Sequence, residues 1–165
     1  MRQHPFDTLA LPNATSLIFT PCPGTKDTSI RAALQALKEA GADAIITLLS
    51  DAELAALAVP ALGAEAAKQN IVWFQLPIED DEEPCEPFNN AWNDSKAELF
   101  SLFNAGKTIS IHCRGGSGRT GLMAAILLLE SGEKWKDVQS LIQSLRPKAL
   151  KHPAHLNYLK KYHSI

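Results

Sequence analysis

Cys113 and Arg119 are separated by five residues, and three of those five are Gly115, Gly116 and Gly118. Glycines that dense form no core. They let successive backbone amides, from Arg114 to Arg119, turn inward around a tetrahedral anion that approaches closely. Ser117 completes the loop, and Arg119 grips two anion oxygens through its planar fork. A helix starting near Arg119 adds the positive end of its dipole. The same positive field favours a thiolate at Cys113. One loop therefore builds an anion cradle and an activated nucleophile. A Walker-type phosphate loop is excluded, because the Gly-Lys-Ser/Thr signature is absent and a cysteine leads the run.

Such a loop needs a buried strand before it and a buried helix after it. "KTISI", residues 107–111, reads as the strand. From Arg119 to Glu130 the sequence is apolar on nearly every side, which predicts a helix buried in the core. Upstream, "TSLIF" (Thr15–Phe19) reads as a short strand stopped by the turn-forming "TPCPG". "TSIRAALQALKEAG" predicts a helix capped by Thr28 or Ser29 and ended at Gly41. "ADAIITLLS" then reads as a buried strand, "DAELAALAV" and "ALGAEAAKQ" as short helices parted at Pro60, and "IVWFQLPI" as another strand.

The acidic, proline-broken "EDDEEPCEP" follows as a loop. Residues 88–105 suit a long helix, with Phe88, Trp92, Leu99, Phe100 and Phe103 as candidate core contacts and Gly106 closing it. Two more helices fall near 133–144 and 153–163. Strands alternating with helices predict an α/β fold, with a central, mostly parallel sheet flanked by helices. The loop between a buried strand and a buried helix is a good place for a ligand in such a sheet.

Composition narrows the class. The 165 residues suit one compact domain, and 45% hydrophobic with 21% charged is ordinary for a globular protein. A net charge of −2 exerts no general pull toward nucleic acid or anionic membrane. The N-terminus lacks the long apolar stretch of a signal peptide, and no run approaches membrane-spanning length. Cys22, Cys85 and Cys113 are odd in number with no CxxC pair, so neither a disulfide framework nor a zinc site is indicated. A reduced, cytoplasmic, monomeric protein without membrane insertion is the expectation.

The ten residues "HCRGGSGRTG", 112–121, match at every specified position the HCxxGxxR-(S or T)-G signature of the protein tyrosine phosphatase superfamily, which the chain resembles. "ELAALAVPALGAEAAKQNIVWFQLPIED" and the C-terminal "LNYL" extend the likeness toward the dual-specificity branch, its kinase-associated phosphatase group above all. The resemblance implies a dual-specificity phosphatase-like fold in a single domain, 1–165, with its catalytic loop at 112–120.

In that family the cysteine thiolate attacks phosphorus and water hydrolyses the cysteinyl-phosphate, which assigns the nucleophile to Cys113. Arg119 binds phosphate and stabilises charge on the equatorial oxygens, with Arg114, Gly115, Gly116, Ser117 and Gly118 completing the phosphate site. Thr120 aids departure of the thiolate, alongside hydrogen bonding at the helix N-terminus. His112 orients the loop through backbone hydrogen bonds.

The leaving oxygen needs a proton from another loop, and "PIEDDEEP" supplies Glu79, Asp80, Asp81, Glu82 and Glu83. The family's "PI.D" pattern places the general acid at Asp80, with Asp81 next. No metal or organic cofactor is called for, because loop amides and Arg119 neutralise the phosphate. Cys22 and Cys85 are candidates for a reversible disulfide with Cys113, set against ordinary unpaired cysteines. Cys22 is expected near the edge of the sheet. Arg146, Lys148, Lys151, Lys160 and Lys161 read as a solvated basic face.

The implied substrate is a phosphorylated protein, at phosphotyrosine, phosphoserine or phosphothreonine. A phosphoinositide is the rival, but relatives acting on inositol lipids tend to carry two lysines in the loop. Here Arg114 holds the first basic position and Ser117 replaces the second. RNA 5′-triphosphatase chemistry is disfavoured by the absence of a broad basic surface. A non-catalytic phosphate-binding module usually loses one of Cys113, Arg119 and Thr120, and all three are present.

Overall fold

The computed structural model describes residues 3–12 and 15–165. Among these residues five strands form one sheet: β1 (Asp7–Ala10), β2 (Ser16–Thr20), β3 (Ala42–Thr47), β4 (Val72–Gln75) and β5 (Thr108–His112). Their spatial order is β1-β2-β5-β3-β4. Only the β1–β2 pair is antiparallel; β2–β5, β5–β3 and β3–β4 run parallel. The fold is thus α/β with a mostly parallel central sheet, as the alternation of elements predicts.

Among the described residues seven helices flank the sheet: α1 (Ile30–Glu39), α2 (Asp51–Ala56), α3 (Leu62–Lys68), α4 (Glu86–Asn104), α5 (Gly118–Glu130), α6 (Trp135–Leu145) and α7 (Pro153–His163). Local chemistry sets their ends. The Ser29 hydroxyl accepts from the Ala32 amide at 3.0 Å and starts α1, an N-cap that satisfies an otherwise orphan donor. Pro87 lies in the first turn of α4 and Pro153 in that of α7, where a missing N–H costs nothing.

Phe88, Trp92, Leu99 and Phe103 of α4 are buried, while Phe100 is half-buried and meets Trp92 and Phe103 edge-on. Every residue of α5 from Arg119 to Leu128 is buried. That helix has no polar face, because the sheet and the C-terminal helices enclose it.

Register explains the loop's position. Thr20, His112 and Thr47 are aligned partners at the C-terminal ends of β2, β5 and β3. The chain leaves β5 at that shared edge, where parallel α/β sheets take their ligands, and turns directly into α5.

Strand β1 has no counterpart among the sequence expectations. Its four residues, largely exposed, carry no apolar alternation. Its presence moves β2 inward, so Cys22 is fully buried beside the central strand rather than at a sheet edge.

Candidate active site

An open pocket of about 560 Å³ lies over the loop between β5 and α5. Cys113, Arg114, Gly115, Ser117, Gly118 and Arg119 form its floor; Asp80, Asp81, His152 and His155 stand among its walls, with Lys26 and Lys148 at the rim. Cys113 is buried, and its Sγ accepts hydrogen bonds from the Gly116 amide at 3.3 Å and the Thr120 hydroxyl at 3.2 Å. Two donors aimed at one sulfur stabilise negative charge there.

Of the three loop glycines, only Gly116 adopts a left-handed backbone, at φ 82°. A Cβ at this position would lie 2.6 Å from the Thr20 carbonyl carbon, while one at Gly115 would meet nothing within 4 Å. Close approach of the loop to the end of β2 therefore demands glycine at 116.

His112 is fully buried beneath the loop. Its Nδ1 lies 2.9 Å from Cys113 O and its Nε2 2.7 Å from Thr47 Oγ1, which also accepts from Trp73 Nε1 at 2.7 Å. Burial pushes the His112 pKa down to about 4, against the pull of its bond to the Cys113 backbone. The ring is neutral at physiological pH, and a carbonyl only accepts. The proton therefore sits on Nδ1, while bare Nε2 accepts from the Thr47 hydroxyl.

Arg119 is 3% exposed. Its Nη1 donates to Glu53 Oε1 at 2.8 Å and to Ile78 O at 2.9 Å, and its Nε lies 3.6 Å from Asp80 Oδ1. Burial works against the charge. The Glu53 hydrogen bond, together with Cys113, Glu53 and Asp80 as negative neighbours, more than offsets it and raises the pKa. Glu53 and Ile78 thus fix one guanidinium nitrogen and leave the others for an anion.

Glu53 is one residue that sequence reasoning missed, as it missed Lys26, His152 and His155 of the pocket. Its visible signal is a cap, since the Glu53 amide donates to Ser50 Oγ at 3.2 Å at the start of α2. Nothing local announces a partner 66 positions away.

The two candidate acids separate. Asp80 faces Arg119, whereas Asp81 Oδ1 lies 3.5 Å from His152 Nε2. His152 Nδ1 accepts from the Ala154 amide at 3.1 Å, so its other nitrogen is the one turned to Asp81 as donor. Glu79, Glu82 and Glu83 do not line the pocket, and Glu83 pairs with Lys161 at 3.8 Å.

The basic cluster divides too. Lys151 and Lys160 are exposed, Lys148 reaches the pocket, and Arg146 is turned inward. All three cysteines are free thiols. Burial first, then Cys113 and Glu53, pushes the Cys22 pKa up to about 12. Among the described residues, no group of three or more His, Cys, Asp or Glu could hold a metal ion, and no helix is long and apolar enough to cross a membrane.

Comparison with known proteins places this site in a lineage. Residues 23–133 match the family described as "Polymorphic toxin system, DSP-PTPase phosphatase". Protein tyrosine phosphatase type IVA 3 of Mus musculus is 30% identical over 96 residues, which are 58% of this chain and 54% of that protein. The chain spans about half the length of the curated relatives it matches.

Kinase-associated phosphatase, solved with its catalytic-site cysteine replaced by serine, superposes with a TM-score of 0.85 at 24% identity, over 99% of this chain and 96% of that one. PTPMT1 in complex with PI(5)P superposes with a TM-score of 0.67 at 17% identity, over 92% and 91%. These two likenesses establish the fold. The chain belongs to the DSP-PTPase phosphatase family, within the dual-specificity group of the protein tyrosine phosphatase superfamily.

Proposed function

We propose that this chain hydrolyses phosphomonoesters of proteins, at phosphotyrosine, phosphoserine or phosphothreonine, through a cysteinyl-phosphate. Residues 1–165 act as one catalytic domain around the loop 112–120, in a reduced, cytoplasmic setting, as a monomer and without a cofactor. The observation that carries this reading is Cys113 Sγ held by two hydrogen-bond donors on the floor of a pocket it shares with Arg119 and Asp80.

The Cys113 thiolate attacks phosphorus and the bond to the ester oxygen breaks. Asp80 gives that oxygen its proton. Arg119 and the amides of Arg114, Gly115, Ser117 and Gly118 hold the equatorial oxygens, and Gly116, whose amide donates to Sγ, closes the loop between them. Water then attacks the cysteinyl-phosphate, the Asp80 carboxylate takes the water's proton, and sulfur departs as a thiolate accepting from the Thr120 hydroxyl. His112 keeps the loop in register from beneath. Asp80 rather than Asp81 takes the acid's role because it stands beside the phosphate-binding arginine, while Asp81 faces His152.

A phosphoinositide is the second reading. Lys26, Arg114 and Lys148 bring three cations to the pocket, and PTPMT1, of similar fold, is solved with PI(5)P. Ser117 in place of a second loop lysine weighs against it.

Hydrolysis of a small aryl phosphate by wild type and Cys113→Ser tests the chemistry. Equal rates in both proteins, or none in either, would sink it in favour of a non-catalytic module. Asp80→Asn is expected to lower turnover by roughly 10²–10⁴ and Asp81→Asn far less; an unchanged Asp80→Asn rate moves the acid elsewhere. A panel of phosphopeptides and phosphoinositides, with Cys113→Ser as control, separates the two substrate classes.

A further inference from the structure

Arg146 follows α6 and by sequence belongs with the surface lysines, yet its side chain is only 15% exposed. Its Nε donates to Gly116 O at 2.8 Å, inside the catalytic loop. Its Nη1 donates to Asp7 Oδ2 of β1 at 2.7 Å and to Leu145 O at 3.0 Å, and its Nη2 to Phe19 O of β2 at 3.3 Å. The guanidinium carbon lies 5.8 Å from the centroid of the Phe19 ring. One planar group thus joins two strands, the end of α6 and the loop. A guanidinium has fixed donor directions, so its ties to Asp7 and Phe19 set the line along which Nε meets Gly116.

That line fixes what lies across the peptide bond. A trans peptide is planar, and its C=O and the following N–H point in opposite directions. With the Gly116 carbonyl held by Arg146, the Ser117 N–H points away from Arg146, and Ser117 lines the pocket with Cys113. Two neighbouring peptides are held alike: His112 Nδ1 binds Cys113 O at 2.9 Å and the Cys22 amide binds Arg114 O at 3.0 Å. The 116–117 peptide has the most need of a tie. Gly116 has no Cβ to restrict its own ψ, so on its side the peptide lacks the usual steric brake on rotation.

Resting on the phosphatase reading, we propose that Arg146 is a positioning residue of the phosphate cradle, holding the Ser117 amide toward the bound phosphate. It touches no reacting atom and acts through the peptide it orients.

The test measures phosphate binding apart from turnover, by calorimetric titration of inorganic phosphate into the full chain. Arg146→Ala is expected to weaken phosphate about tenfold, the worth of one charge-assisted hydrogen bond at the ligand. Arg146→Lys keeps the charge but not the fork, and is expected to stay weakened. The lysine variant decides the question alone if the alanine variant does not fold.

Lysine binding phosphate as tightly as wild type would show that charge alone matters, and would overturn the proposal. A lower melting temperature with phosphate affinity intact would reduce Arg146 to a structural tie, with the same result. Wild type that binds phosphate but hydrolyses no aryl phosphate sinks the catalytic reading and leaves this test standing. Wild type that binds no phosphate sinks both.

Discussion

Thr120 donates its hydroxyl to Cys113 Sγ at 3.2 Å from the first turn of α5, and that bond matters most when sulfur carries full negative charge. In the proposed mechanism it does so as the cysteinyl-phosphate breaks down. A hydrogen bond to a charged group is worth about 1.5–3 kcal/mol, or roughly 10–100-fold in rate. Thr120→Ala is therefore expected to slow dephosphorylation of the intermediate by about that factor. Rapid-quench kinetics with an aryl phosphate would show a burst of phenol and a slow steady state; a uniform fall with no burst would place the hydroxyl's role in the first step or in folding.

At this scale the gathering of His112 to Thr120 into one loop was legible because the proposed nucleophile, the glycines and the arginine are contiguous in the chain. Glu53 and Arg146 were not. Each acts through a partner far away in sequence, 66 residues to Arg119 and 30 to Gly116, and an isolated acid or base in a helical stretch looks the same whether it is solvated or paired.

The strand–loop–helix unit has its own requirement, and it falls on one glycine. Gly116 combines a φ of 82° with a Cβ position 2.6 Å from Thr20 C and 2.7 Å from Thr20 O, both backbone atoms that cannot swing aside. Gly116→Ala meets the left-handed penalty of about 1–2 kcal/mol and a clash besides. In a chain of this size each kcal/mol lowers Tm by about 2–4 °C, so a fall of at least about 4 °C is expected by calorimetry, with phosphate affinity reduced. Gly115→Ala has open space and no positive φ, and is expected to leave Tm within about 2 °C. Equal effects at the two positions would contradict this division.

The sequence shows three glycines and cannot rank them, because the rank depends on where β2 ends. The same holds for β1: four residues of mixed burial gain strand structure only from the edge that β2 offers them.

Across the whole molecule, three histidines are buried in neutral form. His4, His112 and His155 are each at most 3% exposed, and each has its pKa pushed down to about 4, by burial above all. Lys26 adds to the effect at His4 and His152 at His155, where Asp81 opposes it. Burial also lowers His163, against Glu130.

Unfolded, each histidine titrates near 6.5. Between that value and about 4 the unfolded chain binds protons that the native protein excludes, so unfolding takes up protons and stability falls with falling pH. The contribution is complete above about pH 7 and is lost progressively below 6.5. Near pH 5 the three sites together are expected to draw in about three protons on unfolding. Urea denaturation at closely spaced pH values from 7.5 to 5 reads this as the slope of stability against pH.

His155 supplies the control. Among the described residues neither of its ring nitrogens has a hydrogen-bond partner, so its neutrality rests on burial rather than on a network. His155→Gln is expected to reduce the slope by about one proton while leaving the contributions of His4 and His112 in place. A slope that stays the same in this variant would mean that His155 keeps its proton when folded. The imidazole would then be a charged wall of the pocket above Cys113.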